Sequence, residues 1–415
     1  MAREKTNSGQ NLTQLIVGSY MDAFNRWKSG AFVVWGAILI PAEIFKGFEN
    51  VVYCVPETHA ALCAAKGVGP ELCERAEALG YSIDLCSYPR IDIGWVTGGR
   101  KISPTSGLPK PDLLVSDNNN CSLLVKWFDV HHRNMHIPHF ILDVPFCYGP
   151  QKERDLEYIL DQFKDLISIM EKMTGQRFDI NKFYEASIHT ALALSEWKRF
   201  IEFAKHRPSG LTAFDSFVHM APLFTSRGTP ELVEHYRLLA DETEERVRSG
   251  VFPVPNEKYR LLWDNIAPWH QLSRMSTRLA ELNANIIAAP YTLCIGGLEG
   301  SFELFELSLE KDPMWYLART QNMSVCPYGL DLRLNAMSWA IEEFGIDGVI
   351  FASNRSCKAF SVMQMDQQRL ISERFNIPTV MIEFDHADAR KFNEESVYIS
   401  MEALLESIEA RRAAV

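Results

Sequence analysis

The sequence predicts an α/β fold made of two lobes with parallel sheets, joined by a helical segment. Three observations carry this expectation. Short apolar, β-rich runs alternate with helical stretches near both ends of the chain. Several of those runs stop abruptly at Asp, Asn or Pro-Glu, where a strand hands over to a helix. The middle instead shows long stretches with apolar residues at helical spacing. Strands followed by helices imply parallel pairing with helices on both faces, so each lobe reads as Rossmann-like. With 415 residues and 47% hydrophobic content, the chain can bury a substantial core in at least two domains. The predicted organisation is an N-terminal α/β lobe over 1–150, a mainly helical segment over 151–279 and a C-terminal α/β lobe over 280–415.

Taken in order, 32–40 is apolar and β-rich and 42–48 reads as a helix. A short strand over 51–55 ends in Pro56-Glu57, and a helix runs through 60–66. Buried strands follow at 113–115 and 139–142. The stretch 153–174 is helical, with Leu156, Ile159, Leu160, Phe163, Leu166, Ile167, Ile169 and Met170 at helical spacing. Residues 182–205 and 230–249 read the same way, and 210–222 as a break or tight turn. Strands return at 284–289, 348–352 and 379–384, and 401–412 closes the chain as a helix. There is no short-period repeat. Each lobe places a Cys just after a buried strand, which hints at a distant relation between them.

A net charge of -11 argues against nucleic acid as the main partner, since phosphate binding needs excess Lys and Arg. It argues more weakly against an anionic membrane surface. No apolar run approaches the roughly 20 residues of a bilayer span; the longest, 31–41, is broken by Gly36 and Pro41. The start, Met-Ala-Arg-Glu-Lys-Thr-Asn, is polar with no signal-type stretch behind it. A cytoplasmic location follows as the expectation. There the nine cysteines stand as reduced thiols, some of them metal ligands, rather than as disulfides.

Ligands in open α/β sheets collect at the carboxyl ends of strands. Cys86, Cys121 and Cys357 fit that rule in local sequence, each standing where the chain leaves a sheet and enters a helix. Backbone N–H groups at such a place can offset the charge of a bound cluster. Spacing alone is weak support. There is no Cys-x-x-Cys pair, so zinc-ribbon and ferredoxin patterns are absent. Scattered single cysteines are more often small buried apolar residues. Cys54, Cys63, Cys73, Cys147, Cys294 and Cys326 keep that reading, Cys147 and Cys326 least securely.

Three segments carry more information: 80–90 (Gly-Tyr-Ser-Ile-Asp-Leu-Cys-Ser-Tyr-Pro-Arg), 118–128 (Asn-Asn-Asn-Cys-Ser-Leu-Leu-Val-Lys-Trp-Phe) and 354–361 (Asn-Arg-Ser-Cys-Lys-Ala-Phe-Ser). In order, they resemble the cysteine motifs of the 2-hydroxyacyl-CoA dehydratase family, which includes the core subunits of class I, ATP-dependent benzoyl-CoA reductase. The likeness extends nearly end to end, through Tyr53-Cys-Val-Pro-Glu-Thr-His-Ala-Ala61, Phe214-Asp-Ser-Phe-Val-His-Met-Ala221, Glu257-Lys-Tyr-Arg-Leu-Leu262 and Phe384-Asp-His-Ala-Asp-Ala-Arg390. The resemblance implies a [4Fe-4S] cluster on Cys86, Cys121 and Cys357 with one iron left open near an acyl-CoA thioester. It also implies a homologous second core subunit and a separate iron–sulfur ATPase activator that injects electrons singly. No Gly-x-x-x-x-Gly-Lys-Ser/Thr loop is present, consistent with ATP handling by another protein. The implied chemistry is an oxygen-sensitive, low-potential radical reaction on the acyl-CoA.

Glu57, which matches a family glutamate near the active site, is a candidate for proton transfer or water orientation, and His59 is a candidate proton donor to a reduced substrate. Their competing readings are a helix N-terminal carboxylate favoured by the dipole and a helix-surface histidine. Trp263 and Trp269 with His270 are candidates for an aromatic acyl pocket, although Trp at such spacing is more often core. Arg90 and Arg355 stand beside ligand cysteines, where a cluster role and a plain salt bridge compete. One departure is informative. Family dehydratases carry a Ser three residues after the Trp of the first strand; here Trp35 is followed at that distance by Ile38. An apolar residue cannot hydrogen-bond a leaving hydroxyl. This favours reductive dearomatisation of an aromatic acyl-CoA to a cyclic diene, with an (R)-2-hydroxyacyl-CoA dehydratase as the alternative and a double-cubane-cluster electron-transfer reductase as a third reading.

Overall fold

The computed structural model describes residues 6–295, 312–323 and 329–414. They form two four-stranded sheets in which every strand pairing is parallel. The first holds β1 (Phe32–Gly36), β2 (Val51–Cys54), β3 (Leu113–Asp117) and β4 (His139–Leu142) in the order β2-β1-β3-β4. The second holds β5 (Tyr259–Asp264), β6 (Ala284–Ala288), β7 (Gly348–Asn354) and β8 (Thr379–Phe384) in the order β6-β5-β7-β8. The two orders are the same when each sheet is counted from its own first strand. In both, the strand order reverses beside the first strand, which makes a switch point there.

The inner strands are buried on both faces, as their near-continuous apolar runs require. The edge strands β4 and β8 are partly exposed. Two apolar cores result, one per sheet, and Tyr53 and Trp269 pack against both. The helices Ile180–Glu202 and Pro230–Arg248 pack on each other, and Trp197 stacks obliquely on Tyr236 in the core they share with the second sheet. Among the described residues, no helix is long and apolar enough to cross a membrane.

The structure departs from the sequence reading in four places. β5 lies inside the stretch read as helical, and it starts the second sheet. Arg260 and Asp264 disguise it, because charges are rare in a central strand. The Arg260 guanidinium is buried and satisfied by Glu257 and by the carbonyls of Phe344 and His206 at 2.9 and 3.0 Å. Second, 210–222 contains a helix, Ala213–His219, started by a capping box between Thr212 and Asp215. Third, the closing helix begins earlier, at Glu394, where the Asn393 side chain caps it. Fourth, Cys86 does not follow a strand. It follows the helix Gly69–Ala78 and a turn in which the Ser82 hydroxyl accepts the Asp84 N–H.

That turn leads into the helix Ser87–Gly94, which packs tightly on Gly69–Ala78. Gly94 makes the approach possible: a Cβ there would lie 2.0 Å from the Leu72 carbonyl oxygen. Backbone cannot yield as a flexible side chain can. Gly94→Ala is therefore expected to destabilise the protein by about 1–3 kcal/mol. Urea denaturation will show this as a lower midpoint with an unchanged m-value.

Candidate functional site

Cys86, Cys121 and Cys357 each occupy the N-cap of a helix: Ser87–Gly94, Ser122–Met135 and Lys358–Ser361 respectively. Cys121 follows β3 and Cys357 follows β7, so two of the thiols hold equivalent positions in the two sheets. The three come together between the lobes. Burial first, then the charge of Cys357 and that of Cys121, pushes the Cys86 thiol well above its ordinary pKa. Burial and Cys121 push Cys357 up to about 12, and burial raises Cys121. Backbone N–H groups oppose these shifts: Tyr88 at Cys86, Leu123 and Leu124 at Cys121, Phe360 at Cys357. Each of the three, partly exposed and raised toward the neutral thiol, has a helix N-terminus that would favour its thiolate.

This donor set suits a multi-iron group better than a single ion. Among the described residues no three His, Cys, Asp or Glu side chains converge closely enough to hold one metal ion. The three thiols nonetheless feel one another's charge. Soft sulfur ligands suit iron, and the helix N–H groups would supply charge compensation to a bound cluster. Deprotonation of thiols held so far up would then be driven by the metal.

A polar network fixes two of the three N-caps to the loop after β8. Asp385 accepts from the Ser87 hydroxyl at 2.7 Å and from the Ser356 hydroxyl at 2.6 Å. Ser87 follows Cys86, and Ser356 precedes Cys357. The N–H groups of Ala387 and Asp388 donate to the same carboxylate, both at 2.9 Å. Burial works against this carboxylate, but neighbouring His386 and these donors hold it below the usual range. His386 itself is kept neutral at physiological pH, because burial depresses it to about 4. Asn354 donates to its Nδ1 at 2.8 Å, so its Nε2 carries the proton and faces the Ser87 oxygen at 3.2 Å and the Cys86 sulfur at 3.8 Å. Arg90 completes the join, reaching Glu77 at 2.6 Å and Asp388 at 3.0 Å.

At Tyr88, two residues beyond Cys86, begins an apolar cavity of about 170 Å³ between the lobes. Glu57, Ile38 and Tyr88 reach it from the first lobe, Phe217, Trp269 and Tyr291 from the rest of the chain. Glu57 stands in the first turn of the helix Pro56–Ala65. Its Oε1 accepts the Ile38 N–H at 3.0 Å, while its buried Oε2 has no hydrogen-bond partner among the described residues. Burial raises its pKa to about 8. The Ile38 segment is held in place by Tyr53, whose hydroxyl donates to the carbonyls of Ala37 and Ile40 at 3.0 and 3.3 Å. Gly36 lets that ring cross, since a Cβ there would lie 2.2 Å from it. The Tyr88 hydroxyl accepts from Trp269 Nε1, and its ring meets His386 edge-on at 4.3 Å. A larger open cleft of about 980 Å³ adjoins the cavity and shares Ala65, Trp269 and Leu272 with it.

The other sequence candidates separate clearly. His59 is buried away from the cavity lining, with Nε2 at 2.8 Å from the Ser103 hydroxyl and its ring against Trp95. Trp263 is a core residue of β5, whereas Trp269 lines the cavity. His270 donates to the Asp385 carbonyl at 2.9 Å. Arg355 is a surface residue paired with Glu383 at 3.0 Å. Cys54, Cys63, Cys73 and Cys147 are buried free thiols. The Cys294 side chain and Cys326 lie outside the described residues. Sequence reasoning gives no role to Tyr88, Ser87, Ser356 or Asp385. The available signal is an Asp-His-x-Asp run at the carboxyl end of β8.

With this geometry in view, comparison with known proteins is direct. Residues 37–408 match the family model described as 2-hydroxyglutaryl-CoA dehydratase, D-component. The chain belongs to this family. It is 33% identical over 388 residues to the (R)-phenyllactyl-CoA dehydratase alpha subunit of Clostridium sporogenes, covering 93% of this chain and 91% of that one. It is 30% identical to the (R)-2-hydroxyisocaproyl-CoA dehydratase alpha subunit of Clostridioides difficile, over 99% and 98% of the two chains. It is 27% identical to a subunit of the benzoyl-CoA reductase of Thauera aromatica, over 99% and 96%. These names mark the relatives as subunits of complexes.

Two outcomes test the site. Asp385→Ala is expected to cost about 3–5 kcal/mol, because it strands buried hydroxyls and weakens the pairing of Arg90; denaturation at neutral pH reads this, with a smaller loss for Asp385→Asn. Glu57 gives a signed pH dependence. Its folded pKa of about 8 lies above the ordinary 4.5, so the folded state holds the extra proton between those values. Its contribution to stability therefore falls as pH rises from 4.5 to about 8 and is flat above. Glu57→Gln is expected to flatten the stability profile in that window.

Proposed function

We propose that this chain is the alpha-type subunit of an (R)-2-hydroxyacyl-CoA dehydratase, an oxygen-sensitive lyase that forms an enoyl-CoA. The observation that carries the proposal is the apolar cavity that Glu57 shares with Tyr88, a residue in the first turn of the helix that Cys86 caps. In support, the phenyllactyl-CoA and hydroxyisocaproyl-CoA dehydratase alpha subunits are 33 and 30% identical, against 27% for the benzoyl-CoA reductase subunit and 26% for the (R)-2-hydroxyglutaryl-CoA dehydratase alpha subunit. The sequence alone favours ring reduction, on the strength of Ile38. The structure gives that residue another use. Its backbone N–H anchors Glu57 and its side chain faces the cavity, so it selects for an apolar acyl group whatever the reaction.

On this reading, Cys86, Cys121 and Cys357 hold a [4Fe-4S] cluster, with the backbone N–H groups of their helices offsetting its charge. When bound, the cluster supplies one-electron chemistry at low potential. Glu57 does the proton work. Fixed at Oε1 and free at Oε2, it keeps its proton up to about pH 8 and can deliver it to a departing hydroxyl. The apolar walls keep water from the reacting thioester. His59 acts as a packing residue behind Glu57 rather than as a second acid. A homologous second subunit and a separate iron–sulfur ATPase activator, in the cytoplasm, complete the system.

The test is anaerobic purification of the complex and assay with its activator. A dehydratase consumes reductant only in catalytic amounts and converts a 2-hydroxyacyl-CoA to the enoyl-CoA. Stoichiometric reductant use with reduction of benzoyl-CoA supports the ring reductase instead. About four iron atoms per chain are expected; about eight would favour the double-cubane reading. Cys86→Ala, Cys121→Ala and Cys357→Ala are each expected to lower the iron content and bleach the visible absorbance. Glu57→Gln is expected to keep the iron and lose at least about 100-fold in turnover.

A further inference from the structure

The cavity limits the acyl group more sharply than the reaction does. Among the described residues that line it there is no Lys, Arg or His, and Glu57 is the one carboxyl. Apart from Glu57 and the hydroxyl-bearing Tyr20, Thr58, Tyr88, Thr225 and Tyr291, the lining is mainly aromatic and aliphatic, including Phe217, Phe224, Trp269, Leu62 and Ile38. Three alanines, Ala61, Ala65 and Ala221, are among the lining residues and take up little of the space. At about 170 Å³ the space resembles apolar cavities that take up benzene at about 150 Å³.

We propose that the substrate bears an aryl or branched-alkyl substituent beyond its hydroxyl-bearing carbon, and that this cavity rejects acyl groups ending in a carboxylate. The proposal rests on the dehydratase reading above. The physical reason is desolvation. A terminal carboxylate would enter a site whose described lining offers no cation to pair it. Glu57 already shows the penalty, since the same surroundings raise its own carboxyl to about 8. A second carboxylate beside it would add like-charge repulsion whenever Glu57 ionises. A bare methyl group fits but leaves most of the apolar space unfilled, and so loses contact area rather than meeting a barrier. The order of preference is therefore aryl and branched alkyl first, methyl next, carboxyalkyl last.

The experiment uses the intact complex with its activator and four thioesters: (R)-phenyllactyl-CoA, (R)-2-hydroxyisocaproyl-CoA, (R)-lactoyl-CoA and (R)-2-hydroxyglutaryl-CoA. The first two are expected to exceed the last by at least about 100-fold in kcat/KM, and lactoyl-CoA by about 10-fold. Binding of the unreactive 3-phenylpropionyl-CoA and glutaryl-CoA gives the same comparison without turnover, the first expected to bind at least about 10-fold more tightly. Ala61→Leu and Ala221→Leu, each filling part of the cavity, should lower activity on phenyllactyl-CoA more than on lactoyl-CoA. A flat profile, or a preference for 2-hydroxyglutaryl-CoA, overturns the assignment while leaving the dehydratase reading intact. Failure to dehydrate any of the four, with reduction of benzoyl-CoA, removes the dehydratase reading and this proposal with it.

Discussion

One buried carboxylate joins the parts of this molecule that matter most. Asp385 accepts hydrogen bonds from Ser87 in the first lobe and Ser356 in the second, each next to a candidate ligand. A buried charge is costly unless its lone pairs are filled, and here two hydroxyls and two backbone N–H groups fill them. The carboxylate thus demands that both lobes stand in one relative position. Arg90, held between Glu77 and Asp388, repeats that demand a turn away. The apolar cavity lies between the same lobes, so its width follows from the same constraint.

The cysteines themselves arise from two different devices. Cys121 and Cys357 are products of topology. Equivalent strands in two sheets of the same order end in loops that cap helices, and each cap carries a thiol. Cys86 has no such origin. It caps a helix that a tight glycine contact packs against its neighbour. Three thiols, two of them symmetric and one supplied from the side, make an unequal set. On the cluster reading, three thiols to four irons would leave one iron without a protein sulfur.

Much of the fold is legible in the sequence, because its signals are local. The strands 113–115, 139–142, 348–352 and 379–384 announce themselves as short apolar runs that end in Asp or Asn. Legibility fails where tertiary structure overrides local pattern. β5 carries Arg260 and Asp264, whose charges are tolerable only because distant groups satisfy them, among them the carbonyl of Phe344 and the side chain of Arg333. The site divides in the same way. The cysteines and Glu57 are visible through their motifs. Asp385 is not, since its partners lie nearly 300 residues away at Ser87 and only 29 away at Ser356, and no local pattern encodes both.

Ile38 shows how a correct local observation can be asked to carry too much. That an apolar side chain cannot hold a leaving hydroxyl is sound. The step from there to aromatic ring reduction assumes that the residue's side chain decides the chemistry. In the structure, Ile38 touches the candidate acid Glu57 through its backbone N–H. Any residue with a backbone N–H can make that contact, so the side chain is released to shape the acyl pocket. Chemistry and specificity are then carried by different atoms of the same residue. On the proposed reading, the exchange of Ser for Ile at this position would alter which acyl chains fit and leave Glu57, the acid that would assist a departing hydroxyl, where it was.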